Sequence, residues 1–338
     1  MTRLRLLADD LTGALDTAAK FCPAFGKVPV AWADDPALPV LALDSATREA
    51  DVGTARARAG ALAPVLARAD LAFKKLDSLL RGHTAAEIAA CAAPGAFNAV
   101  VIAPAFPAQG RITRGGRQLA HGHDVGVDLA AQLAAEGVPV ARRRPGDDLP
   151  PGVSLWDAET EADLAAIAAL RRGRVLWCGT AGLAGALAAG TTPPVAALPR
   201  PVVALIGSEH PVARAQVAAC RTRVTLPDGA VHDGAVVTVA LPPDTPREEA
   251  ARRIAAAFAA LLAGMGKPGT LIVAGGETLR AVCAALDAGG LVVDGEVAAG
   301  VPASRLSGGR WDGLRVVSKS GAFGDAGLLA RLLEEETT

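Results

Sequence analysis

Phe73-Lys74-Lys75-Leu76-Asp77-Ser78-Leu79-Leu80-Arg81-Gly82 runs from a short apolar stretch, through a dense set of polar groups, to the expected start of a helix just past Gly82. Two ammonium groups, a carboxylate, a hydroxyl and a guanidinium fall within eight positions. A fold does not need such a cluster at a strand end, but a site for a small anionic, hydroxylated ligand does. Ala8-Asp9-Asp10-Leu11-Thr12-Gly13 has the same form: it follows the largely apolar run Leu4 to Leu7 and precedes a helical pattern. In open α/β sheets, ligands sit beyond the C-terminal ends of strands. Two clusters of this form point to one pocket built from both.

Working outward, β-type runs alternate with helical patterns. Strands are expected near 3–8, 28–32, 40–43, 71–75, 98–103, 153–156 and 174–178, and helices over 12–22, 47–67, 84–92, 127–136, 159–171 and 181–189. Such alternation predicts a mainly parallel sheet covered by helices on both faces. Residues 191–201 carry four prolines, which cannot continue a helix or a central strand, and read as a linker. A second α/β series follows: strands 202–206, 235–240, 270–274 and 315–319, with helices 211–220, 247–263, 277–286 and 325–335. The expected architecture is therefore two α/β domains, 1–190 and 202–338, with an active site in the cleft between them.

Bulk properties narrow the function. The chain has 338 residues, 51% hydrophobic and 20% charged, an ordinary globular balance. A net charge of −1 argues against a nucleic-acid surface. The basic run Arg142 to Arg144 leads into Pro145-Gly146-Asp147-Asp148 and reads as a solvated loop. Five dispersed cysteines without a C-x-x-C pair fit a reduced, cytoplasmic protein. No secretory leader and no run long enough to span a membrane is visible.

Three strand-to-helix turns of the second half carry glycine. Gly207-Ser208-Glu209-His210-Pro211 opens a helix with Pro211 in its first turn, and Ser208 can cap it or donate to a ligand oxygen. Ala274-Gly275-Gly276-Glu277-Thr278 lets backbone approach a ligand. Lys319-Ser320-Gly321-Ala322-Phe323-Gly324 sets an ammonium beside a glycine turn, where it can neutralise phosphate as a point charge. Each also reads as a plain turn; three in one domain favour a nucleotide site, since free N–H groups at helix starts attract phosphate. Gly264-Met265-Gly266-Lys267-Pro268 is not a P-loop, because Pro268 stands where Ser or Thr is required and Leu261 where Gly is. Gly179 to Gly185 has G-x-x-G-x-x-G spacing and reads as close helix–strand packing before a dinucleotide turn. His121-Gly122-His123-Asp124 lacks a third strong ligand and reads as a polar loop. Pro104 to Arg111, a proline-bounded turn with Gln109 and Arg111, reads equally as pocket lining or as a structural turn.

Taken together, these residues resemble the four-carbon acid sugar kinase family, whose members phosphorylate compounds such as D-threonate and D-erythronate. The likeness runs in order along nearly the whole chain: A-D-D-x-T-G-A at Ala8 to Ala14, the turn Asp44 to Arg48, K-K-x-D-S-x-L-R-G at Lys74 to Gly82, and A-P-A-F-P-A-Q-G-R at Ala103 to Arg111. It continues with G-S-x-H-P-V at Gly207 to Val212, G-G-E-T at Gly275 to Thr278 and K-S-G-x-F-G at Lys319 to Gly324. The D-threonate kinase-like branch is the most similar. Leu79 and His83 depart from the residues that branch often carries, and the segment after His121 is short.

The resemblance implies an N-terminal acid-sugar domain and a C-terminal ATP domain. By resemblance Asp10, Arg48, Lys75, Asp77 and Ser78 contact the acid, with Asp9 beside them, and Ser208, Gly275, Gly276, Glu277, Thr278 and Gly321 contact ATP. Lys319 joins the ATP set on electrostatic grounds. The expected mechanism uses ATP with Mg2+ bridging its phosphates, no metal-ligating residue being assignable. The acid's carboxylate would be held by Arg48, Lys75 or Arg81, and its hydroxyl proton accepted by Asp10 or Asp77, with Asp10 preferred. Catalytic candidates are thus Asp10, Asp77 and Arg81. Expected partners are the acid sugar and ATP, with a homodimer one assembly and no nucleic acid or membrane. A hydroxy-acid dehydrogenase built on the Gly179 turn and a non-catalytic acid-sugar sensor are the alternatives.

Overall fold

The computed structural model describes residues 2–92, 95–195 and 197–334, which divide into two compact units, Met1–Thr191 and Thr192–Thr338. In the first unit β1 (Leu4–Ala8), α1 (Leu11–Phe25), β2 (Val28–Ala31), β3 (Val40–Asp44), α2 (Val52–Ala67), β4 (Leu71–Lys75), α3 (Thr84–Ala92) and β5 (Ala99–Ala103) alternate as the sequence predicts. A small antiparallel sheet follows, β6 (Arg111–Arg114), β7 (Arg117–Ala120) and β8 (His123–Asp124). Then come α4 (Leu129–Ala135), β9 (Val140–Arg143), β10 (Gly152–Trp156), α5 (Glu161–Ala168), β11 (Val175–Gly179) and α6 (Ala181–Ala188).

The main sheet of this unit runs β2-β3-β1-β4-β11-β5-β10-β9, with every one of these pairs parallel. Strands covered on both faces read as continuous apolar runs, as in Ala99-Val100-Val101-Ile102-Ala103, all buried. Helices α2, α3 and α4 pack in a row over one face, around Leu7, Leu43, Ile88, Ile102 and Leu133. Helices α1, α6 and α5 form a second row, with Phe21 edge-on to Phe73 at 5.5 Å. Each such fully buried Leu or Phe contributes roughly 1.5–3 kcal/mol. The unpredicted hairpin β6–β7 turns on Gly115 and Gly116, both at positive φ, which a two-residue turn matched to strand twist requires.

The second unit runs β12 (Val202–Ile206), α7 (Pro211–Ala219), β13 (Arg223–Leu226), β14 (Ala235–Val239), α8 (Arg247–Gly264), β15 (Thr270–Ala274), α9 (Gly276–Ala285), β16 (Gly290–Ala298), β17 (Val301–Ser307), β18 (Arg315–Lys319) and α10 (Leu328–Glu334). Its sheet is parallel through β13-β14-β12-β15-β18 and turns antiparallel at β17 and β16. Strands β9, β13, β16 and β17 have no counterpart in the sequence-based expectation. Part of the proline-rich segment is also more ordered than a free linker: Val195 N donates to Glu296 O at 2.8 Å and Glu296 N to Pro193 O at 3.0 Å. The two bonds use Pro193 O and Val195 N across the Pro194–Glu296 bridge, so neither needs a proline N–H. Ala196 of this segment and residue 335 of the expected last helix lie outside the described residues.

Candidate active site

In the first unit, the register of three adjacent strands brings the charged clusters together. Ala8 lies opposite Asp44, and Leu7 opposite Lys74, so Asp9, the 44–48 turn and Lys75 leave the sheet side by side at its C-terminal edge. Asp10 caps α1: its carboxylate accepts from Gly13 N at 3.0 Å and from Thr12 Oγ1 at 2.5 Å. A Cβ at Gly13 would overlap Asp10 Oδ1 and sit 3.2 Å from Lys75 Nζ, so glycine is what lets α1 start this close.

Arg48 is the hub of this cluster. Its guanidinium bonds Asp9 through Nε at 2.8 Å and Nη2 at 2.7 Å, lies 2.8 Å from Asp10 Oδ1, and reaches Asp77 Oδ2 at 3.6 Å. Burial alone would push the Asp9 carboxyl up, but Arg48 holds it below the usual range. Burial opposes the Arg48 charge too, and Asp10 and Asp9 raise its pKa above the ordinary arginine value. Asp77 accepts from Arg81 Nε at 3.0 Å, from Arg81 Nη2 at 2.6 Å and from Leu79 N at 3.0 Å. Burial works against its charge, yet the Arg81 hydrogen bonds and the Arg48 charge hold it far below the carboxylate range. Arg81 itself is 60% exposed on its side chain and leans on Asp77.

Lys75 differs from these partnered cations. It is 6% exposed, its Nζ donates to Leu76 O at 2.7 Å, and among the described residues it makes no ion pair. An ammonium has three N–H donors, and one of them is filled among the described residues. Ser78 is buried at the same edge, where Arg111 donates to its hydroxyl. Gln118 on β7 donates to Ser78 O at 2.9 Å and to Pro104 O at 3.0 Å, which resolves the 104–111 turn as part of this edge.

In the second unit, Ile206 lies opposite Ala274 and Ala274 opposite Lys319, so the three glycine turns emerge together. A Cβ at Gly321 would overlap Ser208 Oγ, and one at Gly207 would overlap Thr278 Oγ1. Gly275, at φ +109, starts α9 and donates to Lys319 O at 3.1 Å. Ser208, Gly275, Gly276, Thr278 and Gly321 therefore form one glycine-lined cradle. The cap of α7 is not Ser208: His210 Nδ1 accepts from Val212 N at 3.2 Å, while Ser208 Oγ accepts from His210 N at 3.3 Å. Glu277 turns outward, 54% exposed on its side chain and 3.4 Å from Arg247. Lys319 is 1% exposed, donates from Nζ to Ser320 O at 2.9 Å, makes no ion pair among the described residues, and is pushed down to about 8 by burial.

Sequence reasoning missed several supports. Gln216 on α7 donates to Phe323 O at 3.1 Å and Asp325 O at 2.8 Å, pinning the loop after Gly321; a buried Gln on a helix face was the only signal. Buried Lys74 pairs with Glu87 on α3, a contact no local spacing shows.

The remaining motifs carry structure. A Cβ at Gly179 would sit 2.6 Å from Leu183 Cδ2 and 2.7 Å from Ala103 O, so glycine here lets α6 pack close against the strand ends. Lys267 precedes β15 and donates to Asp312 O at 2.6 Å. Asp124 is exposed and its oxygens accept from Arg117 and Gly126. Among the described residues no helix is long and apolar enough to cross a membrane.

Comparison with known proteins adds identity to this geometry. Residues 4–143 match the model of a sugar-binding N-terminal domain, and 230–329 that of a nucleotide-binding C-terminal domain. A D-threonate kinase of Cupriavidus necator is 33% identical over 400 aligned positions, covering 96% of this chain and 95% of the relative. A D-threonate kinase of Bordetella bronchiseptica is 31% identical over 96% of the chain and 95% of its own length. Both alignments exceed the chain's length, so these relatives carry segments it lacks. A Salmonella typhimurium LT2 structure provisionally called a tRNA synthase shares the fold, with TM-score 0.79 at 19% identity over 99% of both chains. A Haemophilus influenzae protein of the DUF1537 family does so at TM-score 0.69 and 19% identity, over 97% of this chain and 99% of its own.

Proposed function

The chain belongs to the four-carbon acid sugar kinase family, and from that premise we propose that it transfers the γ-phosphoryl group of ATP to a hydroxyl of a four-carbon acid sugar, D-threonate or D-erythronate. The observation that carries this is a pair of buried lysines. Lys75 in the first unit and Lys319 in the second each end a strand, each give one donor to a neighbouring carbonyl, and each make no ion pair among the described residues. A buried ammonium so sparsely partnered is costly unless an anion completes it. One anion is the acid's carboxylate, the other the nucleotide's polyphosphate.

Lys75 holds the carboxylate. Arg48 is already shared among Asp9, Asp10 and Asp77, and Arg81 is committed to Asp77, whereas Lys75 makes no ion pair among the described residues. Ser78 orients the acid through its hydroxyl. Asp10 accepts the proton of the attacking hydroxyl, because Asp77 is held so far below the usual range that it is a weak base. Asp9 and Asp77 keep Arg48 in place, and Arg81 keeps Asp77 in place. In the second unit Ser208, Gly276, Thr278 and Gly321 line the phosphates with backbone N–H and hydroxyl donors, Gly275 lets the backbone come close, and Lys319 neutralises them. ATP supplies the phosphoryl group; positioning and charge neutralisation supply most of the rate.

Mg2+ is not fitted by this chain's own side chains. Asp9 and Asp77 are taken by guanidinium groups, and among the described residues no three His, Cys, Asp or Glu side chains gather as ligands. A magnesium ion would arrive with the nucleotide, held by phosphate and water, and no step above runs through it. Five buried free cysteines support a cytoplasmic setting.

The test is ADP release from Mg-ATP with D-threonate, D-erythronate, L-threonate and L-erythronate in turn. A D-isomer that drives ADP release supports the proposal. ATP-binding protein that releases no ADP with any of the four sinks it.

A further inference from the structure

Behind the acid site lies a buried ionic network that the proposed reaction does not touch. Consecutive strand residues point to opposite faces: Lys75 faces the start of α1, while Lys74 faces α3, where its Nζ lies 2.6 Å from Glu87 Oε2. Both side chains of this pair are no more than 2% exposed. Burial would lower the Lys74 pKa, but Glu87 and Asp9 raise it above the usual lysine range.

The network leads from this pair to the active-site turn. The second oxygen of Glu87 accepts from Thr47 Oγ1, and Thr47 is fully buried. Thr47 Oγ1 lies 2.8 Å from Ser45 Oγ, which donates to Ala8 O at 2.9 Å. Thr47 N and Arg48 N both donate to Asp9 O, at 2.9 and 3.2 Å. Between Ser45 and Thr47, Ala46 is held at φ +52, a left-handed conformation that a residue with a Cβ keeps only when its surroundings impose it. The chain of contacts that starts at Lys74 thus ends one peptide away from Arg48.

A buried ion pair is weak evidence for stability, because apolar side chains of like volume often serve as well. Its place under the 44–48 turn gives it a geometric role. Resting on the function proposed above, we infer that the Lys74–Glu87–Thr47 network positions Arg48, and through it Asp9, Asp10 and Asp77, in the arrangement that receives the acid. None of its three members touches the acid; they are positioning residues.

Thr47→Val keeps the side-chain shape and removes the hydroxyl that donates to Glu87 Oε1, leaving the Lys74 pair on Oε2; Thr47→Ser keeps the donor. The expected result for Thr47→Val is an acid KM raised about tenfold or more, the scale on which small misplacements act. Its nucleotide KM stays within about twofold of wild type, and Thr47→Ser restores the acid KM. Glu87→Gln, nearly isosteric, gives the same split and stands in if Thr47→Val does not fold. A merely structural network would reduce the active fraction and leave both KM values alone. A wild-type acid KM in folded Thr47→Val, or an equal rise in both KM values, overturns the inference. Wild-type protein that shows no acid-dependent ADP release instead overturns the proposed function, and this role falls with it.

Discussion

Lys75 and Lys319 end strands β4 and β18 in the same way, buried and bonded to the next carbonyl, yet their surroundings differ in kind. Around Lys75, Asp9, Asp10, Asp77, Arg48 and Arg81 hold one another through bonds of 2.6 to 3.6 Å. Lys319 lies beside the glycine turns, with Gly275 N donating to its carbonyl, and burial is what pushes its pKa down. A rigid charge lattice suits a small ligand whose carboxylate and hydroxyls must be told apart from near-isomers, since paired polar groups punish a misplaced hydroxyl. A glycine cradle suits a phosphate chain, which any peptide N–H can bind. Under the proposed function, side chains set specificity in one unit and backbone sets affinity in the other.

The sharpest way to break this contrast is at the proton acceptor. Asp10→Asn should lower kcat by about 10²–10⁴-fold, the usual weight of a general base, with unchanged circular dichroism; turnover near wild type would remove Asp10 from its role. Gly321→Ala should come next, because its Cβ overlaps Ser208 Oγ and closes the cradle. We expect a nucleotide KM raised on the order of tenfold with the acid KM unmoved, read from steady-state titrations of each substrate.

The pH dependence sharpens the same comparison. Burial pushes Lys319 down to about 8, so it carries its charge below that pH and loses it above. Nucleotide KM should be flat on the acid side of about 8 and rise beyond it. Lys319→Arg should remove that rise, since a guanidinium stays charged; a profile identical in wild type and Lys319→Arg would take Lys319 out of the cradle. The smallest effect belongs to Glu277. Half-exposed and paired with Arg247, it should tolerate Gln with less than about threefold change in either KM, whereas a large nucleotide KM rise would put Glu277 on the ligand.

Much of this was legible in the chain, for identifiable reasons. Apolar runs that end in Asp9, Asp44 and Lys75 marked the strand ends, and the parallel register that joins them follows from α/β alternation. Gly115-Gly116 carried a hairpin signal that periodicity alone passes over, and β16 and β17 are antiparallel strands inside an otherwise parallel series. Long-range partnerships were out of reach. Nothing local says that Glu87 pairs with Lys74 and Thr47, or that Arg48 is shared among three carboxylates while Lys75 makes no ion pair among the described residues.

The most direct test of the division of labour is one crossed experiment: the acid KM and the nucleotide KM measured for Lys75→Met and for Lys319→Met. The account predicts that Lys75→Met raises only the acid KM and Lys319→Met only the nucleotide KM. If either variant moved both constants together, or Lys75→Met left the acid KM at its wild-type value, the assignment of the two lysines to two different anions would be contradicted.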